Sequence, residues 1–187
     1  MIGPPVRAER DDMTTDISQE NKLALALTAK VASETFGDPV EALEAILGAT
    51  QRITGFQTVL LSEISTEKCE LRIHAVENSD SALTVPLGLK IPLTASPCQR
   101  VATSVKPFVS TNMQVDAELS VLPAAKDMGA SAYIGVPVVL GDGSFFGTLV
   151  GLDTEPHEES VEHVRWMQVL ACIAAQQIER LRAAEMA

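Results

Sequence analysis

The stretch Ala130–Asp153, ASAYIGVPVVLGDGSFFGTLVGLD, decides the fold. Two apolar runs, Ala132–Leu140 and Phe145–Leu152, flank Gly141-Asp142-Gly143. Asp-Gly between runs rich in Val, Ile, Tyr and Phe is a hairpin signal. The tight turn needs positive φ, and the flanking residues suit a pleated surface. Both runs are almost continuously apolar, so the hairpin is expected to be covered on both faces, like the central pair of a sheet. Pro137 cannot donate to a ladder, so its nitrogen must face away from a partner strand or sit at a bulge.

Upstream of this hairpin, Phe56–Ile64 and Cys69–Val76 read as strands around the polar turn Ser65-Thr66-Glu67-Lys68. Asn78–Ser81 reads as a loop. Short strands are expected near Lys90–Leu93 and at Phe108–Ser110. Ser96 and Pro97 signal a helix start, with the helix running to about Val105. A polar loop, Thr111–Ser120, leads into a helix over Leu119–Met128 that Gly129 stops. Two helices come first: one over 18–36, capped by Ser18 and stopped by Gly37, and one capped by Asp38 with Pro39 at its first position, ending near Gly55. The second carries Val40, Leu43, Ile46, Leu47 and Ile53 on one face. From His157 the chain reads as one long helix. Glu158 and Glu159 suit its start, and Val161, Val164, Met167, Leu170, Ala174, Ile178 and Leu181 recur at helical steps. The implied organisation is a flexible leader over 1–17, an N-terminal helix over 18–37, and a folded domain over 38–187.

Composition narrows the function classes. The chain has 187 residues, 46% hydrophobic and 21% charged, which suits one globular domain with extensions. A formal net charge of −11 repels phosphate backbones, so nucleic acid is not an expected partner. Cys69, Cys98 and Cys172 are widely spaced, odd in number and without metal-like pairing, which argues against a disulfide framework or a zinc site and fits a reducing compartment. The N-terminus lacks an apolar signal core, and no apolar run is long enough to cross a bilayer. A cytoplasmic protein without a membrane partner is expected.

The order Tyr-Ile-Gly-Val-Pro-Val at 133–138, then Asp142-Gly143, Phe146-Gly147-Thr148-Leu149 and Leu152-Asp153 before a long helix, resembles the closing hairpin of a GAF domain. The resemblance runs from about Asp38 to the C-terminus. It implies an α+β fold, an α/β sandwich. A central antiparallel sheet of five or six strands would carry the terminal helices on one face and a small-molecule pocket on the other, beneath Leu93–Ala130. It also implies a sensory, regulatory role in signal transduction. A small ligand would bias the terminal helices, the chain would form a homodimer, and the partner would be a signalling kinase or cyclase. No catalysis is expected.

The candidate pocket residues are Cys98, Phe108, Thr111, Met113 and Tyr133. Cys98 falls just inside a helix start, where the dipole favours a thiolate, although a free cysteine is more often a packing residue. Tyr133, the only tyrosine, stands at the mouth of a central strand, where its hydroxyl either meets a ligand or marks the core edge. Two other readings compete. One is a dimerising interaction module with a vestigial pocket. The other is a thiol redox sensor, or a protein like the free methionine sulfoxide reductases of the same family, working through Cys98. Those reductases need a second thiol in the following loops, and Val101–Ala171 holds none. Bilin-binding relatives attach the chromophore through Cys-His where this chain has Ser120-Val121-Leu122-Pro123, so no covalent bilin is expected and the ligand stays open. His74, His157 and His163 read as surface or core-edge residues rather than haem ligands. Asn112 and Asp116 fall near the family's cyclic-nucleotide motif, but Met113 and Ala117 depart from it. Asp116 and Glu118 read as a solvated lid face, and no metal ligands are assigned.

Overall fold

The computed structural model describes residues 7–34, 36–79, 83–158 and 161–187, with side chains from residue 19 onward. Six strands, β1 (Thr58–Ser65), β2 (Glu70–Asn78), β3 (Lys90–Pro92), β4 (Phe108–Ser110), β5 (Ala132–Val139) and β6 (Phe145–Asp153), form one sheet among the described residues. Their order is β3-β2-β1-β6-β5-β4, and every neighbouring pair is antiparallel. Five helices flank it: α1 (Arg7–Ser33), α2 (Pro39–Thr54), α3 (Cys98–Ser104), α4 (Pro123–Lys126) and α5 (Val161–Glu185).

The closing hairpin is β5–β6, and β6 occupies the middle of the sheet beside β1. Its loop differs from the two-residue turn that Asp-Gly suggests. Only Gly143 takes positive φ there, at 85°. Leu140 N–H donates to the Ser144 carbonyl and Gly143 N–H to that of Leu140, so three residues make the turn. Asp142 Oδ1 accepts from Ser144 N–H at 2.8 Å, and α5 holds the loop down through Glu179 Oε1, which accepts from Gly141 N–H at 2.6 Å. Pro137 is accommodated because β4 ends opposite Gly135, leaving no β4 partner for its nitrogen.

Strand alternation builds two cores. Val59, Leu61, Ile134, Val136 and Leu149 face α2 and α5, whose Leu43, Ile46, Leu47, Met167, Leu170, Ala174 and Ile178 meet them. Leu60, Ile64, Leu71, Ile73, Val150 and Leu152 face the other way, beneath α3, α4 and their loops. The α2 caps are as the sequence implies: Asp38 Oδ1 accepts from Val40 N–H at 2.8 Å, and Gly55 closes the helix at φ 73°. Val40 itself is exposed and sits outside the apolar stripe.

Three expectations are corrected. The segment 7–17, expected as leader, belongs to α1, which starts at Arg7 and ends at Ser33 rather than running over 18–36. No Gly or Pro interrupts 7–33, so nothing breaks the helix on its N-terminal side. The rest of the leader, 1–6, lies outside the described residues, as do 80 and 81 of the expected loop and Glu159. Helix 119–128 reduces to the single turn α4, because Pro123 at its first position lets it start only there. The terminal helix starts at Val161 instead of His157, whose backbone and side chain are engaged elsewhere.

Gly147 fixes how closely β1 and β6 approach. A Cβ on it would stand 1.8 Å from the Ser62 carbonyl oxygen, a backbone atom that cannot step aside. Gly147→Ala is therefore expected to cost about 3 kcal/mol in urea unfolding. Gly48→Ala, within α2 where nothing lies within 4 Å, should instead stabilise by about 1 kcal/mol. Similar values for the two substitutions would disprove this account of the β1–β6 contact.

Candidate functional site

The cover-side face of β1, β6 and β5 carries one polar line through an apolar floor. Ser62 Oγ lies 2.6 Å from Thr148 Oγ1. The Thr148 and Tyr133 hydroxyls each donate to Cys98 Sγ at 3.3 Å. Three strands thus converge on the sulfur at the first residue of α3. Ser96 sets that helix start by accepting from Cys98 N–H at 3.2 Å. All four residues are buried, with Cys98 at 3% exposure. Burial pushes the Tyr133 hydroxyl well above its ordinary pKa, and the adjoining Cys98 adds to the shift, so Tyr133 is a neutral donor. Gly135 makes its pose possible: a Cβ there would stand 2.2 Å from the Tyr133 hydroxyl, which folds across the bare backbone.

Beside this line lies a cavity of about 50 Å³, lined by Cys98, Tyr133, Leu60, Val150, Ala124 and Met128 among others. The lining is almost wholly apolar. The volume is well short of the roughly 300 Å³ at which small-molecule pockets begin.

Of the five candidate pocket residues, only Cys98 and Tyr133 line the cavity. Phe108 stands behind Tyr133 at a ring separation of 5.9 Å, with the Arg100 guanidinium 4.8 Å above it. Met113 is fully buried in the same core without lining the void. Thr111 faces a separate groove beside His157 and Glu158. Sequence reasoning missed Ser62 and Thr148, although β1 carries a visible signal: Ser62 interrupts the alternation of Leu60 and Ile64 on an apolar face.

The roof is held by side chains. Arg100 on α3 pairs with Glu118 in the cover loop. Gln114 Nε2 donates to the carbonyls of Ala125 at 3.0 Å and Ala130 at 2.9 Å. Asp116 Oδ1 accepts from the N–H groups of Leu119 and Glu118, which hold its carboxyl below the usual range. Asp116 thus staples the lid, while Glu118, with its side chain 81% exposed, lies on the solvated face expected of it.

A second knot joins the roof to α5. Asp153, 3% exposed at the end of β6, accepts from Glu155 N–H at 2.9 Å and Gln57 N–H at 3.3 Å. His157 Nε2 lies 2.8 Å from Asp153 Oδ2, and its ring stacks on Phe56 at 4.4 Å. His157 N–H then donates to the Thr111 carbonyl at 3.1 Å, tying the cover loop to the approach of α5.

A family model described as "GAF domain" matches residues 37–179. The chain belongs to the GAF family. GAF domains are sensory signalling domains, and the six-stranded sheet with helices on one face and a roofed cavity on the other is their arrangement. Diguanylate cyclase DgcP of Escherichia coli (strain K12) is 25% identical over 135 residues, covering 72% of this chain and 38% of the cyclase. The chromophore-binding domain of the bacteriophytochrome RpBphP3 from R. palustris superposes with a TM-score of 0.70 at 17% identity, covering 89% of this chain and 63% of that one. A longer structure of the same bacteriophytochrome gives 0.67 at 18% identity, with 89% and 39% covered. At such identities these structures show the fold alone. The chain spans less than two-fifths of the length of the curated relative it matches.

The GAF cavity wall yields a direct test of the polar line. Thr148→Val removes one hydroxyl without changing shape and should cost about 2 kcal/mol, because Ser62 loses its close partner in a dry interior. Ser62→Ala in that background should cost less than it does alone, since both partners are then gone. Strict additivity in a double-mutant unfolding cycle would show that the two hydroxyls do not interact.

Proposed function

We propose that this GAF domain is a cytoplasmic sensor that receives a small, largely apolar ligand beneath α3 and α4 and reports it through α1, α2 and α5. The observation that carries this reading is the tie between the Thr111 carbonyl and His157 N–H, which couples the roof to the segment feeding α5. A ligand shifts such an equilibrium only if it favours one of two roof arrangements over the other. With about 50 Å³ between roof and floor, binding a metabolite requires α3 and the 112–130 segment to lift, and that movement pulls on Thr111. Binding rather than catalysis suits Cys98: its sulfur accepts two hydroxyls, and no other cysteine lines the cavity.

The chromophore named for the R. palustris domain does not fit the residues present. Ser120–Pro123 offers no thiol to hold it covalently. The name of the E. coli relative supports a nucleotide cyclase as one partner class, with a signalling kinase the other. Among the described residues no helix is long and apolar enough to cross a membrane.

A second reading has its own support. Leu23 and Leu25 of α1 and Val161 and Val169 of α5 are exposed apolar residues on the helix layer. They suit a homodimer, and the small cavity suits a module whose pocket is vestigial.

Native mass spectrometry of protein purified without added ligand separates the two. The sensor reading expects a non-covalent mass on the wild type that is absent from Ala124→Phe, whose ring fills the cavity from the half-buried roof. A ligand-free dimer, or a ligand retained by the filled variant, would overturn it in favour of the interaction module.

A further inference from the structure

The helix-side face of the sheet holds an open cleft of about 380 Å³ at the end opposite the Asp153 knot. It is formed where the β1–β2 turn, the start of β6 and the last turns of α5 meet. Four cations line it, each from a different element: Lys68 from the turn, Arg72 from β2, Lys90 from β3 and Arg182 from α5. Two carboxylates, Glu63 and Glu70, face them. The lining therefore carries a formal charge of +2 on a chain whose net charge is −11. The sign is opposite to that of the chain as a whole.

Stability does not explain the cluster. The Arg72–Glu63 and Lys90–Glu70 pairs, both at 3.1 Å, and the Arg182–Glu63 pair at 3.9 Å involve side chains 37–59% exposed. Exposed pairs of this kind add little to folding. Lys68 has no carboxylate within ion-pair distance among the described residues. Glu63 serves both arginines, so neither guanidinium is fully used. The Arg182 guanidinium stands over the Phe146 ring, its Cζ 5.1 Å from the centroid. That cation–π contact restrains the guanidinium at the cleft, the preorganisation that suits recognition of a phosphate.

We propose that this cleft is a binding site for a small dianionic phosphate compound, a phosphate monoester or a diphosphate, held by Arg72, Arg182, Lys90 and Lys68. Two arginine forks and two lysine point charges match two or more anionic oxygens, and two negative charges neutralise the excess in the lining. The volume falls within the roughly 300–1,000 Å³ of small-molecule sites. The occupant joins the last turns of α5 to β2 and β3, so it restrains that end of the helix. The site lies on the face opposite the apolar cavity and shares no lining residue with it.

The test is isothermal titration of the full chain with inorganic pyrophosphate at low salt, with the ring signals of His74, beside Arg72, followed by NMR. Saturable one-to-one binding that shifts the His74 signals is expected. Lys90→Gln and Arg182→Gln should each weaken it about tenfold, the scale of one charged hydrogen bond. Arg165→Gln, near the far end of α5, should leave it unchanged. Melting temperatures show whether Arg182→Gln disturbs the Phe146 contact, and Lys90→Gln tests the site without touching that contact. Absence of saturable binding overturns the proposal, and so does equal weakening by Arg165→Gln, which would mark diffuse charge attraction. Co-sedimentation with phosphatidylcholine vesicles carrying a phosphoinositide, lost in Arg182→Gln, would place the phosphate on a lipid headgroup. Pyrophosphate binding without co-sedimentation would place it on a free metabolite.

Discussion

The close pairing of β6 with β1, Gly147–Leu152 against Thr58–Glu63, is the constraint on which the structure rests. Both strands are buried on both faces, so neither can be satisfied by one layer of cover. The chain must supply a helical layer for Val59, Leu61 and Leu149 and a separate roof for Leu60, Val150 and Leu152. Gly147 lets the backbones meet where any side chain would strike the Ser62 carbonyl. That same approach brings Ser62 and Thr148 within hydrogen-bond distance, so the polar line ending at Cys98 is a by-product of the central pairing.

The two covers are unlike in kind. The helix layer uses long helices with a continuous apolar stripe, and its stability is spread over many contacts. The roof has two helices of seven and four residues. What holds it are single side-chain bonds: the Gln114 amide to two carbonyls and the Asp116 staple. Segments held by few contacts open at lower free energy than the core they cover. A protein that admits a ligand needs one face of this sort. The placement of the small cavity beneath the roof, and not within the helix layer, follows from that difference.

The fold was legible because its signals are local. Asp38, Pro39 and Gly55 bound α2 by backbone chemistry, and the apolar runs around Gly141–Gly143 can be little other than paired strands. The five-to-six-stranded sheet, with helices on one face, follows from that hairpin and from the resemblance it carries. The site was legible only in part. Cys98 and Tyr133 stood out by residue type and position. Ser62 joins them through a partner 86 positions away, and no periodicity reports such a distance. Thr111 and Met113 are candidates only by lying in the cover segment. Which face of an irregular loop points inward depends on tertiary hydrogen bonds, here Met113 N–H to the Ser131 carbonyl and His157 N–H to that of Thr111. The cationic cleft was invisible for a similar reason, since its four charges lie on four elements that only the sheet order gathers.

These features meet on α5. Its approach is bound to the roof through His157 and Thr111, and Asp153 locks the same segment to the start of β1 through Gln57. Its last turns reach the opposite end of the sheet, where Glu179 holds the hairpin loop and Arg182 lies on Phe146. Between these points the helix is packed by Met167, Leu170, Ala174 and Ile178 against one sheet face. A rigid element restrained at both ends couples them: whatever changes the preferred position of one end changes the free energy of occupying the other. Such coupling is reciprocal by thermodynamic necessity, so a ligand under the roof and an anion in the cleft would each alter the affinity of the other by the same factor.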